Sequence, residues 1–438
     1  MTARETNILV AGGGPAGCIA ALRLAGLGHR VQLIATPRRP SIEGVSKRVL
    51  RALEASGCRN ALASIGPMVG REARWNGEIS AANAEWVVAR ERFDLALQED
   101  AAAAGVELIR GHVRKLQRDD GAWRVESSDG ERRAAGYLVE ARGRRAPGRR
   151  LRGPASTALG RMFLGVPMRA RTAVAGFRQG WGWYASTGDG RGALQLVLSS
   201  GEPLPKRQAL PTFLDRLSAE IGAARHWLGA GCGAGEVWAR HAETSRAALP
   251  IEDRMIRVGD AALAPDPLSG HGAFEAIASA TAAVPVINTI LRQPESAELA
   301  RAFYEDRVRL AYERFGRIGR DFYALERRWP DADFWRERRR WPDEKPAHAP
   351  PLATPARIEE KPVIEDGFIV ARRVVVTADQ PRGVWRVEGV PVVELLDWCG
   401  TQAGSGAAVR AAAATRFGCA PDQIATALEW LRYRRLIG

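Results

Sequence analysis

Residues 7–18 read Asn7-Ile8-Leu9-Val10-Ala11-Gly12-Gly13-Gly14-Pro15-Ala16-Gly17-Cys18. A short apolar run stops at glycines and passes into residues 19–27, apolar on a helical period, so the stretch predicts strand, tight turn and helix. Gly12, Gly14 and Gly17 fit G-x-G-x-x-G, with Pro15 and Ala16 inside the same cradle. The first glycine permits the turn, the second lets the backbone touch a pyrophosphate, and the third lets helix pack on strand; free N–H groups then face the phosphates. A second apolar run, residues 31–35, follows at a crossover's spacing. These features predict a dinucleotide cradle; the plain alternative is a glycine-rich turn without ligand. Ala35 and Thr36 stand where an acidic residue usually holds the ribose.

The chain has 438 residues, 46% of them hydrophobic, enough for two or three domains. No membrane span is expected, and the start, Met1-Thr2-Ala3-Arg4-Glu5, lacks a signal peptide's apolar region. The cysteines (18, 58, 232, 399, 419) form no C-x-x-C pair, which predicts free thiols, no metal site and a cytoplasmic protein. The net charge is +14, nearly all from arginine. It could draw nucleic acid, anionic lipid or an acidic protein; solvated surface is the plain reading, and an acidic partner stays open.

Along the chain, residues 41–57 hold a helix ending at Gly57, with Arg48 at its beginning, where a cation opposes the helix dipole. Arg48 is either a surface residue or placed for an anion. Arg90 precedes an alanine-rich helix closed by Gly105. Residues 106–109, 113–118 and 123–127 predict a meander, with turns at Asp120-Gly121 and Asp129-Gly130. A buried strand, residues 137–139, runs into Glu140-Ala141-Arg142-Gly143-Arg144. Residues 163–174, 177–186 and 193–199 read as sheet, 211–227 as helix, 229–235 as a glycine-rich loop and 248–258 as a strand. Then come Gly259-Asp260, the loop Asp266-Pro267-Leu268-Ser269-Gly270-His271-Gly272 and a small-residue helix, 273–291. Pro267 would stiffen that loop and Gly270 let it turn, so its N–H groups face a flat ligand edge. A long helix, 299–329, and a proline-rich linker follow.

In this order the motifs resemble the flavoprotein monooxygenases of the p-hydroxybenzoate hydroxylase type, and more nearly the flavin-dependent halogenases and flavoproteins that modify protein-bound tryptophan. The resemblance covers residues 6 to about 325. It implies an α/β fold: a Rossmann-like FAD-binding domain from residues 1–150 and 241–325 and an inserted antiparallel substrate sheet (151–240); beyond it, composition predicts a helix end and linker (326–362) and a C-terminal winged-helix-like α+β module (363–438). The resemblance also implies that the first glycine motif and Asp260 hold FAD. Arg48 would lie beside the flavin, Arg90 on the adenosine side, and Pro267, Gly270, His271 and Gly272 along the pyrimidine edge.

Two departures stand out. Glu140-Ala141-Arg142-Gly143-Arg144 replaces the family's aspartate-glycine motif, and no lysine lies between Lys47 and Lys115, where halogenases keep an essential one. Gly180-Trp181-Gly182-Trp183-Tyr184 looks like the halogenase tryptophan motif; the bland reading is strand aromatics packing the core. The resemblance implies hydroxylation of an aromatic ring using NAD(P)H as transient reductant, O2 and a flavin hydroperoxide. The substrate implied is a tryptophan in a protein or peptide during tryptophylquinone biogenesis, in the small subunit of quinohemoprotein amine dehydrogenase. His271, Asp266 and Glu43 are candidates for proton handling, against solvent-facing, turn-capping and loop-carboxylate alternatives. Two other classes remain: a flavin oxidoreductase or halogenase-like enzyme on a small aromatic or lipid, and a flavin-holding regulator that binds DNA. Arg410 and Arg416 among alanines are thin for base reading, which disfavours nucleic acid. Deleting residues 346–438 is the experiment this reading suggests for separating peptide from small-molecule substrates.

Overall fold

The computed structural model describes residues 7–119, 121–201, 204–401 and 407–437; the chain start and Asp120 of the first Asp-Gly turn lie outside them. The chain divides into two compact units, Met1–Ile287 with Tyr304–Ala347, and Asn288–Phe303 with His348–Gly438.

The first unit is built on a six-stranded sheet. Its order is Ile251–Glu252, Met255–Arg257, Tyr137–Glu140, Asn7–Ala11, Arg30–Ala35, Glu107–Arg110. All neighbours are parallel except the first pair, with Val10 opposite both Leu33 and Val139. Strands buried on both faces must be apolar throughout, as Leu9, Val10, Leu138 and Val139 are. The segment expected as one strand at 248–258 is two, turned at Arg254 with φ 56°.

The second sheet has eight strands in the order Cys232–His241, Ser156–Leu164, Arg191–Ser199, Gly180–Ser186, Arg171–Phe177, Met68–Trp75, Glu78–Ala89, Ile42–Val45. It therefore takes three strands from the stretch assigned to the FAD-binding domain, joined by parallel pairing of Thr172 with Arg71. The expected glycine loop at 229–235 already enters the edge strand at Cys232. Alternation sorts the aromatic strand: Tyr184 faces one side and stacks on Trp227 at 6.0 Å, while Trp181 and Trp183 face the other. Gly182 separates them because a Cβ there would lie 2.5 Å from Ile221. Trp181 and Trp183 thus pack the core, as the bland reading has it.

The supposed linker is partly structure. The long helix, Ala297–Leu325, is followed by Asp333–Arg338, whose Phe334 and Trp335 are buried among Trp75, Tyr323 and Trp329. Trp335 Nε1 donates to the carbonyls of Phe177 and Arg178. Burying these two aromatics outweighs the proline-rich composition around them. Among the described residues one helix, Gly272–Arg292, is by length and composition apolar enough to cross a membrane, where no such run was expected; 67% of its apolar window is buried, as in a core helix.

The second unit has an antiparallel sheet, Arg357–Glu365, Phe368–Thr377 and Gln380–Val384, so the expected linker also overlaps a strand. Helices Val392–Cys399, Ala407–Phe417 and Pro421–Tyr433 follow, around Val375, Val393, Leu395, Ile424 and Leu431. Strands come first and helices after. Asn288 donates to the Gly367 carbonyl and Thr289 Oγ1 accepts from Ile369 N, at 2.9 and 2.7 Å.

Candidate active site

The cradle follows from steric necessity. Gly12 has φ +121°, and a Cβ there would meet the Ala141 carbonyl oxygen at 2.4 Å. At Gly17 a Cβ would lie 1.8 Å from the Gly12 carbonyl oxygen, so only glycine lets helix Pro15–Gly26 approach the strand. Gly14 differs. Its φ of −86° suits any residue, and a Cβ would meet nothing within 4 Å. It begins a helix whose first N–H groups have no side-chain cap, so open space lies before free donors. That arrangement fits a pyrophosphate. Pro15 and Ala16 are buried at the helix start.

Two turns close on the cradle. Gly259 (φ +59°) has room for no more than hydrogen, since a Cβ would lie 2.8 Å from that of Ala16. Its N–H donates to Ser279 Oγ at 2.8 Å. The Arg150 guanidinium donates to the carbonyls of Asp260 and Ala261, both at 2.9 Å, which pins the turn. The Asp260 carboxylate is left 39% exposed, 3.6 Å from Arg144 Nε. It is thus free to accept hydroxyl hydrogen bonds. The Glu140 carboxylate is spent locally: it is fully buried and accepts from Arg142 N and Nε at 3.0 and 2.9 Å.

The loop 266–272 lies within electrostatic reach of the same Arg144. Asp266 caps the short turn Pro267–Ser269 through Leu268 N at 2.9 Å, and Gly270 takes φ +65° before helix Gly272–Arg292 begins. Capping is not its whole engagement. Tyr323 donates to the Asp266 carboxyl at 3.1 Å and accepts from Trp181 Nε1 at 3.2 Å. A cavity of about 10 Å³, the room of one water, borders Asp266, Gly319 and Tyr323. Burial pushes the Asp266 pKa up more than the Leu268 N–H, Arg338, Tyr323 and Arg144 pull it down. The carboxyl beside the loop therefore gives up its proton less readily than an exposed aspartate.

This has a thermodynamic consequence. A carboxyl with a raised folded pKa stabilises the protein below its unfolded value and loses that contribution as pH rises towards the folded one. Asp266→Asn keeps the capping oxygen and removes the titration. Its melting temperature should exceed that of the unaltered protein at neutral pH, with the gap shrinking as the pH falls into the ordinary carboxylate range. Calorimetry across that range checks it.

His271 is half-buried, its ring 5.2 Å from that of Phe315, and not solvent-facing. Burial, with Arg48 and Arg314 nearby, lowers its pKa against the effect of Ser269, so it is neutral at physiological pH. Arg48 reaches the same loop, its guanidinium 5.8 Å from the Phe274 ring centre.

Glu43 and Arg90 are placed otherwise than expected. Arg90 is buried and donates to Glu43 at 2.6 Å and to Asp94 at 3.0 and 2.9 Å. Burial raises the Glu43 pKa, but Arg90 and Arg38 outweigh it and hold the group ionised. A carboxylate so paired is a poor proton handler, and Arg90 has little left to offer an adenosine. The helix that carries Arg90 and Asp94, Arg90–Ala103, braces the cradle: Gln98 donates to the Gly13 carbonyl at 3.0 Å. Tyr323 and Arg150 are the participants that no local sequence signal marks, while Arg144 closes the Glu140–Arg144 motif.

An FAD-dependent enzyme is the class that such a cradle and its two turns define. The chain belongs to the tryptophan halogenase family, whose model matches residues 51–350. It is similar to a solved peptidyl tryptophan dihydroxylase, QhpG, "essential for tryptophylquinone cofactor biogenesis": identity is 37%, over 99% of this chain and all of that one, with a TM-score of 0.85. The flavin-dependent halogenase CmlS shares the fold at 18% identity over 99% of this chain and 96% of its own (TM-score 0.74). The myxobacterial chondrochloren halogenase CndH does so at 23%, over 76% and 85% (TM-score 0.67). No curated protein sequence matches the chain.

Proposed function

We propose that this protein is an FAD-dependent monooxygenase that hydroxylates a tryptophan within a peptide during tryptophylquinone biogenesis. The small subunit of quinohemoprotein amine dehydrogenase would be the substrate, with NAD(P)H as electron source. The observation that carries the reading is end-to-end likeness, at 37% identity, to a peptidyl tryptophan dihydroxylase. The sequence supports oxygenation over halogenation, because no lysine lies between Lys47 and Lys115.

FAD, when bound, supplies the redox and oxygen chemistry. The amides of residues 12–17 would hold its pyrophosphate, Asp260 its sugar-like hydroxyls, and the N–H groups of residues 270–272 negative charge on its pyrimidine edge. Asp266 would be oriented beside the flavin by the hydrogen bond from Tyr323. Neutral His271 packs beside the loop and helps keep water out. Indole carbon is nucleophilic enough to react without a strong base.

The test is reconstitution with FAD, then reduction and exposure to air with a tryptophan-containing peptide. Mass spectrometry should find one or two oxygen atoms added at the tryptophan, and free tryptophan unchanged. Halide incorporation, or a protein that takes up no flavin, would overturn the reading.

A further inference from the structure

Arg71 lies on strand Met68–Trp75 of the eight-stranded sheet, where the pairing with Glu78–Ala89 slips in register between Gly70 and Glu72. Such a slip bends a strand and re-aims the side chain within it. The guanidinium is gripped at two points by the Glu85 carboxylate: Nε donates to Oε1 at 2.9 Å, and Nη2 donates to Oε2. Glu85 is buried. Its carboxylate fits there because Gly44, on the neighbouring strand Ile42–Val45, has no side chain; a Cβ at Gly44 would lie 2.0 Å from Glu85 Oε2. A buried carboxylate in a slot that a glycine keeps open holds its arginine in one orientation.

That orientation brings Arg71 to the loop 266–272. Beyond the adjacent residues, Arg71 Nη2 is the nearest atom to the place a Cβ would take at Gly270, at 3.7 Å. The Arg71 side chain is 23% exposed, and its Nη1 donates to no described residue. A guanidinium is thus fixed in direction, with donors to spare, for a planar acceptor that the chain itself does not supply. We propose that Arg71 donates to the pyrimidine edge of FAD beside the Gly270 turn, and that Glu85 sets how much of its charge the flavin feels. This rests on the FAD reading, in which the N–H groups of residues 270–272 line the same edge. Uptake of two electrons and one proton turns the neutral ring into an anion whose charge lies on that edge. A cation there favours the reduced form, and a carboxylate behind the cation weakens the preference.

The test measures the two-electron midpoint potential of the FAD-loaded full chain by anaerobic reduction beside a reference dye. Glu85→Gln keeps an acceptor for Arg71 and removes the counter-charge. Its potential should rise by about 30 mV, a tenfold gain in the preference for reduced over oxidised flavin. Arg71→Gln combined with Glu85→Gln removes the cation without stranding a buried carboxylate, and its potential should fall below that of the unaltered protein. Arg71→Lys keeps the charge, and its potential should lie nearer the unaltered protein's than the double variant's. A merely structural clasp between sheet and loop would not move the two Glu85 variants in opposite directions. Equal potentials, or shifts of both in one direction, would overturn the assignment and leave the FAD reading standing. Should the double variant hold no flavin, the rise in Glu85→Gln decides alone. An unaltered chain that takes up no FAD would overturn both.

Discussion

A Gly14→Val protein is expected to fold, to melt close to the unaltered chain, and to emerge from purification without flavin. The reasoning uses a contrast within one motif. Valine at Gly14 needs no unusual backbone angle and meets no atom within 4 Å, so its cost is that of a poor helix cap, about 1 kcal/mol. Its methyl groups would fill the space before the free N–H groups, where the pyrophosphate belongs. Gly17→Val is the control. Its side chain would drive into the Gly12 carbonyl and prise helix from strand, costing about 3 kcal/mol or more. Absorbance at the flavin band and a thermal melt, run on both proteins, separate cofactor exclusion from structural damage. A yellow, stoichiometrically loaded Gly14→Val protein would refute the cradle.

The second large effect concerns Arg90. Arg90→Met leaves the buried Asp94 carboxylate, and Glu43, without their main counter-charge. Removing one partner of a buried pair costs about 3–5 kcal/mol, a large fraction of a total stability of about 5–15 kcal/mol. Adding Asp94→Asn and Glu43→Gln should recover most of the loss. Denaturant unfolding of the single and triple variants gives the comparison. If the triple variant also regains flavin binding, Arg90 acts by holding the helix against the cradle. If stability returns but flavin does not, the guanidinium touches the cofactor directly.

What the sequence made legible was backbone geometry. Gly12, Gly17 and Gly259 are marked because a Cβ at any of them would collide with a neighbour, and Gly270 because its left-handed turn favours glycine. Asp266 is marked by its place in the loop expected to border the flavin. Its engagement with Tyr323 is not, because the two are brought together across the fold and nothing near Tyr323 sets it apart from other helix aromatics. The extent of the second sheet was hidden likewise. The pairing of Thr172 with Arg71 joins segments far apart in the chain, and a parallel pair leaves no turn residues to announce it. Phe334 and Trp335 were lost in a proline-rich stretch whose average composition says linker. Glu43 and Arg90 pair with each other across the fold, and no local signal in the sequence announces that pairing.

The discontinuous second unit changes what a truncated protein can teach. Because Asn288–Phe303 belongs with residues beyond 348, a chain cut at 347 does not isolate the larger unit. It strips away the Gly367 carbonyl that receives Asn288 and the Ile369 amide that binds Thr289, and leaves the tip of a helical hairpin naked. Inactivity of that fragment would therefore report a damaged scaffold as readily as a missing peptide receptor. Single replacements on the outer faces of Ala407–Phe417 or Pro421–Tyr433 keep the hairpin sheathed, and are the sounder way to learn what this appendage contributes.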